Sequence, residues 1–131
     1  ATLAGSNTIA TLLPGTMLFS GHGRYAPARR MIDAGCAVAL ATDLNPGSSH
    51  VYSLPLVMTL ACLQMNMSAA ECLTACTINA AHALRAADRS GSLEPGKRGD
   101  VVVWDCAHYE QIPYYVGTSL AQTVIAGGKV I

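Results

Sequence analysis

Residues 36–41, CAVALA, form an apolar run without polar alternation, and the run stops at Thr42-Asp43. A strand wetted on one face alternates, whereas a strand covered on both faces reads as continuous hydrophobic sequence. This run is therefore expected to be an interior strand over 36–43, with layers of chain on either side. A second run, TIATLLP (8–14), is stopped by Pro14-Gly15 and reads as another buried strand. Between them lie GTMLFSGHGRY (15–25), a long glycine-rich loop, and APARRMIDAG (26–35), a short helix. Pro27 suits that helix's first turn and Gly35 its C-terminal end. Strand, loop, helix and buried strand make a βαβ unit, so the two strands are expected to run parallel.

Two further helices follow. The first covers about 53–65; the second opens on SAAE, where Ser68 and Glu71 form a capping box, and runs to about Leu84. Their short junction implies antiparallel packing. After residue 88 the texture changes. GSLEPGKRGDVVVWD (91–105) offers a turn and a strand, and AQTVIAGGKVI (121–131) offers two short strands around Gly127-Gly128, a hairpin signal. This divides the chain into 1–88 and 89–131, and neither part closes a sheet of its own.

Composition points the same way. Hydrophobic residues make up 51% of the 131 residues and charged residues 12%, about half the usual share of ~25%. Much of such a surface is expected to be covered, by a second copy or by the rest of a longer polypeptide; the first residue, Ala1, suggests truncation or processing. Net charge is zero, which leaves no electrostatic footprint for nucleic acid or an anionic membrane. No apolar run reaches the ~18 residues of a membrane span, and no signal-peptide pattern is visible. The five cysteines, Cys36, Cys62, Cys72, Cys76 and Cys106, sit within apolar segments. They read as reduced core thiols of a cytoplasmic protein, although Cys72 and Cys76 share a helix face.

Asp43 is the residue that needs explaining. Ligands of parallel α/β folds gather at the carboxyl ends of the strands, and Asp43 stands at that end of 36–43. It can be the start of a turn, since Asn45-Pro46-Gly47 is turn chemistry. It can equally be a carboxylate that holds a metal or moves a proton, beside a loop whose Asn45 side chain and N–H groups grip a ligand. Local pattern leaves both open.

A family resemblance bears on the choice. LLPGT (12–16), LATDLNPGSS (40–49), YSLPLVM (52–58), TINAAHAL (77–84) and GSLEPGKRGDVVVWD (91–105) resemble, in order and spacing, the C-terminal third of the imidazolonepropionases, within the metal-dependent amidohydrolase superfamily. The last block is common across the superfamily; TDLNPGS followed by YSLPLVM is narrower. The resemblance implies an α/β fold: strands seven and eight, with their helices, of a (β/α)8 TIM barrel in 1–88, and the C-terminal strands of a small composite β-sandwich in 89–131. It implies one divalent metal ion, zinc or iron, with Asp43 both metal ligand and catalytic group, and Asn45, Gly47 and Ser48 contacting substrate. The implied reaction is hydrolysis of the cyclic amide of 4-imidazolone-5-propanoate to N-formimidoyl-L-glutamate, in histidine degradation.

The family's His-x-His metal pair does not occur, because no two of His22, His50, His82 and His108 are separated by one residue. The metal site is thus expected to be incomplete in this chain, which alone should be inactive. Its expected partners are a small-molecule substrate, the missing N-terminal part of the same polypeptide and, for the whole enzyme, a second copy. His22 and His50 lie on the expected catalytic side; His82 and His108 read as structural. Arg29 and Arg30 read as a solvated face, and Met17, Met58, Met65 and Met67 as core. The competing readings are a hydantoinase-like or guanine-deaminase-like enzyme and a stand-alone structural module without activity.

Overall fold

The computed structural model describes residues 3–131. Strand β1 (Ala10–Leu12) pairs in parallel with β2 (Val38–Leu40), Leu12 opposite Leu40, as the βαβ reading requires. All three residues of β2 are buried, whereas Thr11 in the middle of β1 is exposed. The expectation that both strands are buried therefore holds in full for β2 alone. Ala10 N donates to Ala37 O at 2.9 Å and Ala41 N to Leu12 O at 3.1 Å. The Val38 carbonyl consequently faces the opposite edge, where Asn79 Nδ2 donates to it at 2.8 Å.

The stretch after β1 is not a simple loop. Pro14 starts helix α1 (Pro14–Ser20), in the first-turn position where its missing N–H costs nothing. Only residues 21–27 remain without regular structure before α2 (Ala28–Asp33). Helix α3 (Leu54–Met65) begins at an N-cap, Ser53, whose hydroxyl accepts from Leu56 N, and it ends at Asn66 in the left-handed conformation.

The expected helix to Leu84 is interrupted. It divides into α4 (Ala69–Cys76) and α5 (Ile78–Ala83) at Thr77, whose ψ of -95° is not helical. Thr77 Oγ1 donates back to Leu73 O at 2.6 Å, a side-chain bond that competes with helix propagation. The capping box at Ser68 and Glu71 is present in both directions.

Arg29 is not part of a free solvated face. It reaches from α2 to both Glu71 carboxylate oxygens at 3.0 Å while also pairing with Asp33. The Ser68 backbone N–H, followed by Arg29, holds the Glu71 carboxyl below its ordinary value. A depressed carboxyl contributes stability above its unfolded pKa and loses it as pH falls through the folded one. Ser68→Ala is expected to cost about 1 kcal/mol, read as a lower urea midpoint at neutral pH. Glu71→Gln should flatten the decline of that midpoint on the acid side of the carboxylate range; an unchanged acid limb would refute the assignment.

The core gathers Leu12, Val38, Leu40, Val57, Met58, Met65 and Met67 with Cys72 of α4. Among the expected core methionines only Met17 is half-buried; the other three are buried. In the C-terminal part, β3 (Val101–Trp104), β4 (Ala121–Ala126) and β5 (Lys129–Val130) form an antiparallel sheet in that order. Gly127 and Gly128 both have positive φ, as the tight β4–β5 turn demands. A short helix that the sequence reading missed, α6 (Gln111–Tyr114), buries Ile112 and Pro113. The buried Thr59 hydroxyl of α3 donates to Pro113 O at 2.6 Å, sharing its proton with Pro55 O at 3.0 Å. No helix is long and apolar enough to cross a membrane among the described residues.

Candidate functional site

Asp43 lies three residues beyond the carboxyl end of β2, half-buried, with φ of 52°. Residues other than glycine seldom adopt positive φ, and aspartate and asparagine tolerate it best. The chain then closes on itself: Asn45 N donates to Ser49 O at 2.9 Å. The Asn45 side chain is the hub of this turn. Its Oδ1 accepts from Gly47 N and Ser48 N, both at 2.8 Å, and its Nδ2 donates to Asp43 O at 2.6 Å and to Ser48 Oγ at 3.0 Å.

The four residues singled out from the sequence thus occupy one turn, but in different ways. Asp43 and Asn45 are half-buried; Gly47 and Ser48 are exposed. The N–H groups of Gly47 and Ser48, expected to grip a ligand, are spent within the turn on Asn45. The Ser48 hydroxyl is exposed at its rim.

Three neighbours escaped the sequence reading. Thr16 of α1 donates from Oγ1 to Asp43 Oδ2 at 2.7 Å. Ser49 is fully buried and donates from Oγ to Thr42 O at 2.9 Å. Gly15 allows α1 to sit against it, since a Cβ there would lie 3.2 Å from both Ser49 Oγ and Val51 Cγ2. Thr16 closes the LLPGT motif and Asp43 was singled out, but nothing local joins two residues 27 positions apart. His50 lies on the exposed rim, its Nε2 3.3 Å from Pro46 O and its ring edge-on to Phe19. His22, His82 and His108 are exposed. A cleft of about 720 Å³ beside the turn is lined by Phe19, His50, Trp104 and Tyr115 among others, and Asp43 is not in its wall.

A metal ion needs several ligands, usually four for zinc. Among the described residues no three His, Cys, Asp or Glu side chains converge; at this end of β2 the chain offers a single carboxylate, Asp43. Nor do the cysteines gather into such a cluster among the described residues. All are unpaired; burial, with Cys62 adjacent, pushes the Cys72 thiol far up, and burial pushes Cys76 up to about 12. Such thiols behave as small apolar side chains of the core.

The amidohydrolase family pattern matches residues 6–131. The chain is 57% identical to the imidazolonepropionase of Geobacillus kaustophilus and 54% identical to that of Porphyromonas gingivalis, each over 98% of this chain. It spans about 30% of the length of either relative. Among solved structures, atrazine chlorohydrolase from Arthrobacter aurescens TC1, complexed with zinc, superposes with a TM-score of 0.83 at 26% identity, covering 97% of this chain and 32% of that one. An adenosine deaminase from Xanthomonas campestris with bound zinc gives 0.82 at 24% identity, covering 93% and 31%.

Proposed function

Because the chain belongs to the amidohydrolase family, we propose that it is the C-terminal portion of an imidazolonepropionase, which hydrolyses the cyclic amide of 4-imidazolone-5-propanoate to N-formimidoyl-L-glutamate. The supporting observation is Asp43, at the carboxyl end of a parallel strand and held by Thr16 beside a rigid polar turn, in a chain 57% identical to such an enzyme. In this reading β1 and β2 are strands seven and eight of a (β/α)8 barrel. Residues 1–88 belong to the barrel, and 89–131 close a small β-sandwich shared with the other chain end. Large apolar side chains left exposed, Leu63, Leu84 and Val130 among them, accord with surfaces covered by the N-terminal part of the same polypeptide. Five unpaired cysteines accord with a reducing, cytoplasmic setting.

Asp43 is one ligand of a divalent ion, zinc or iron, whose other ligands lie outside these residues; when bound, the ion supplies Lewis-acid chemistry at the reacting carbonyl and water. The residues of this chain do the rest. Ring opening adds water across a carbon–nitrogen bond, hydroxyl to the carbonyl carbon and proton to the ring nitrogen. The Asp43 carboxylate takes the water's proton and delivers it to that nitrogen. Asn45 keeps the turn in shape, Gly47 lets the backbone approach the substrate, and the Ser48 hydroxyl bonds its polar groups.

The test is formation of N-formimidoyl-L-glutamate from 4-imidazolone-5-propanoate by the full-length enzyme, with hydantoin and guanine as competing rings. Turnover of either competitor in preference would favour the hydantoinase-like or guanine-deaminase-like reading. Asn45→Ala, which releases the Gly47 and Ser48 amides, is expected to raise KM roughly tenfold, about the worth of one or two hydrogen bonds, with metal content unchanged. Loss of metal in that variant would mean the turn serves the ion rather than the substrate.

A further inference from the structure

We propose that Thr16 is a positioning residue, whose hydroxyl fixes the Asp43 carboxylate through Oδ2 and leaves Oδ1 as the working oxygen; this rests on the reading of Asp43 given above. A threonine in a first helical turn commonly bonds its own local backbone. Thr16 instead donates to a carboxylate 27 residues away, at 2.7 Å and in partly buried surroundings. Among the described residues no other side chain bonds either oxygen of that carboxylate.

The rest of the geometry makes the contact rigid. The Asp43 backbone is held at φ 52°, with its carbonyl bonded by Asn45 Nδ2 at 2.6 Å. Helix α1 cannot slide away from it easily, because Gly15 lies against Ser49 and Val51, and Ser49 is bonded to Thr42 O. Backbone conformation and turn thus fix the Asp43 main chain, and helix α1 brings Thr16 against its carboxylate. What they leave undetermined is rotation of the carboxylate itself, and Thr16 removes that freedom. Partners of a ligating carboxylate orient it in this way, and losing one typically weakens metal affinity or activity by about 10- to 100-fold.

The experiment compares Thr16→Val, Thr16→Ser and Asp43→Asn in the full-length enzyme. Two readouts are taken: steady-state kinetics, and zinc affinity of the metal-stripped protein by competition with a chelating dye. Thr16→Val keeps the shape and removes the donor. It is expected to lower kcat and zinc affinity by roughly 10- to 100-fold each, with KM and the melting temperature of the metal-free protein close to wild type. Thr16→Ser keeps the donor and should recover most of both losses. Wild-type kcat and zinc affinity in Thr16→Val would overturn the proposal, as would equal impairment in Thr16→Ser. Asp43→Asn separates this from the reading beneath it: if Asp43→Asn is inactive while Thr16→Val is normal, only the role of Thr16 falls. If Asp43→Asn itself turns over and binds zinc normally, the role of Asp43 falls.

Discussion

Asp43→Asn in the full-length enzyme is expected to lower kcat by about 10²- to 10⁴-fold, the range that a positioned proton-transferring group contributes, without changing the fold. The substitution suits the site in every respect except the chemistry. Asparagine tolerates the left-handed backbone as well as aspartate does, so the φ of 52° adds no strain. Its Oδ1 can still accept from Thr16 Oγ1, and the Asn45 bond to the residue 43 carbonyl is untouched. What disappears is the negative charge and the proton-accepting oxygen on which the proposed role of Asp43 depends. Circular dichroism and the melting temperature of the metal-free protein should match wild type, while turnover and bound zinc decline together. Near-normal turnover would leave Asp43 as the opening residue of a turn. Asp43→Ala is the poorer experiment, since it also abandons a residue suited to positive φ.

The features legible in the sequence are those fixed by short-range rules. The unalternating run before Asp43 gave a buried parallel strand, and β2 is one. SAAE gave a reciprocal capping box, and Ser68 and Glu71 form it. Gly127-Gly128 gave a hairpin, and both residues have the positive φ it needs. The misses are long-range. Nothing near Thr59 announces that its hydroxyl meets Pro113, 54 residues on, so α6 went unread. Arg29 looked solvated because its partner, Glu71, is 42 residues away. The same limit applied at the site: the turn's membership was readable, but its internal bonding was not. Asn45 spends the amide donors that sequence reasoning had offered to a ligand.

Gly91→Ala is expected to destabilise the protein more than any other single methyl addition proposed on the C-terminal part, by about 2–6 kcal/mol from unfavourable backbone conformation and overpacking, each about 1–3 kcal/mol. Gly91 has φ of 92°, and a Cβ there would lie 2.5 Å from the Ala81 Cβ and 3.1 Å from Ile78 Cα and Thr77 O. Those last two atoms are backbone at the break between α4 and α5, so no flexible side-chain end can move aside. Gly96 provides the control: its φ is 88°, but nothing lies within 4 Å of a Cβ there, so Gly96→Ala carries only the conformational part. A urea midpoint lowered clearly further in Gly91→Ala than in Gly96→Ala would mean that the segment after residue 88 is pressed onto α5 at the Thr77 break. Equal midpoints would mean that it is slackly joined. The first outcome also gives the interruption at Thr77 a reason. A straight helix through residue 77 would move the carbonyl that Gly91 approaches, and with it the contact that carries the chain from the strand-and-helix part to the antiparallel sheet.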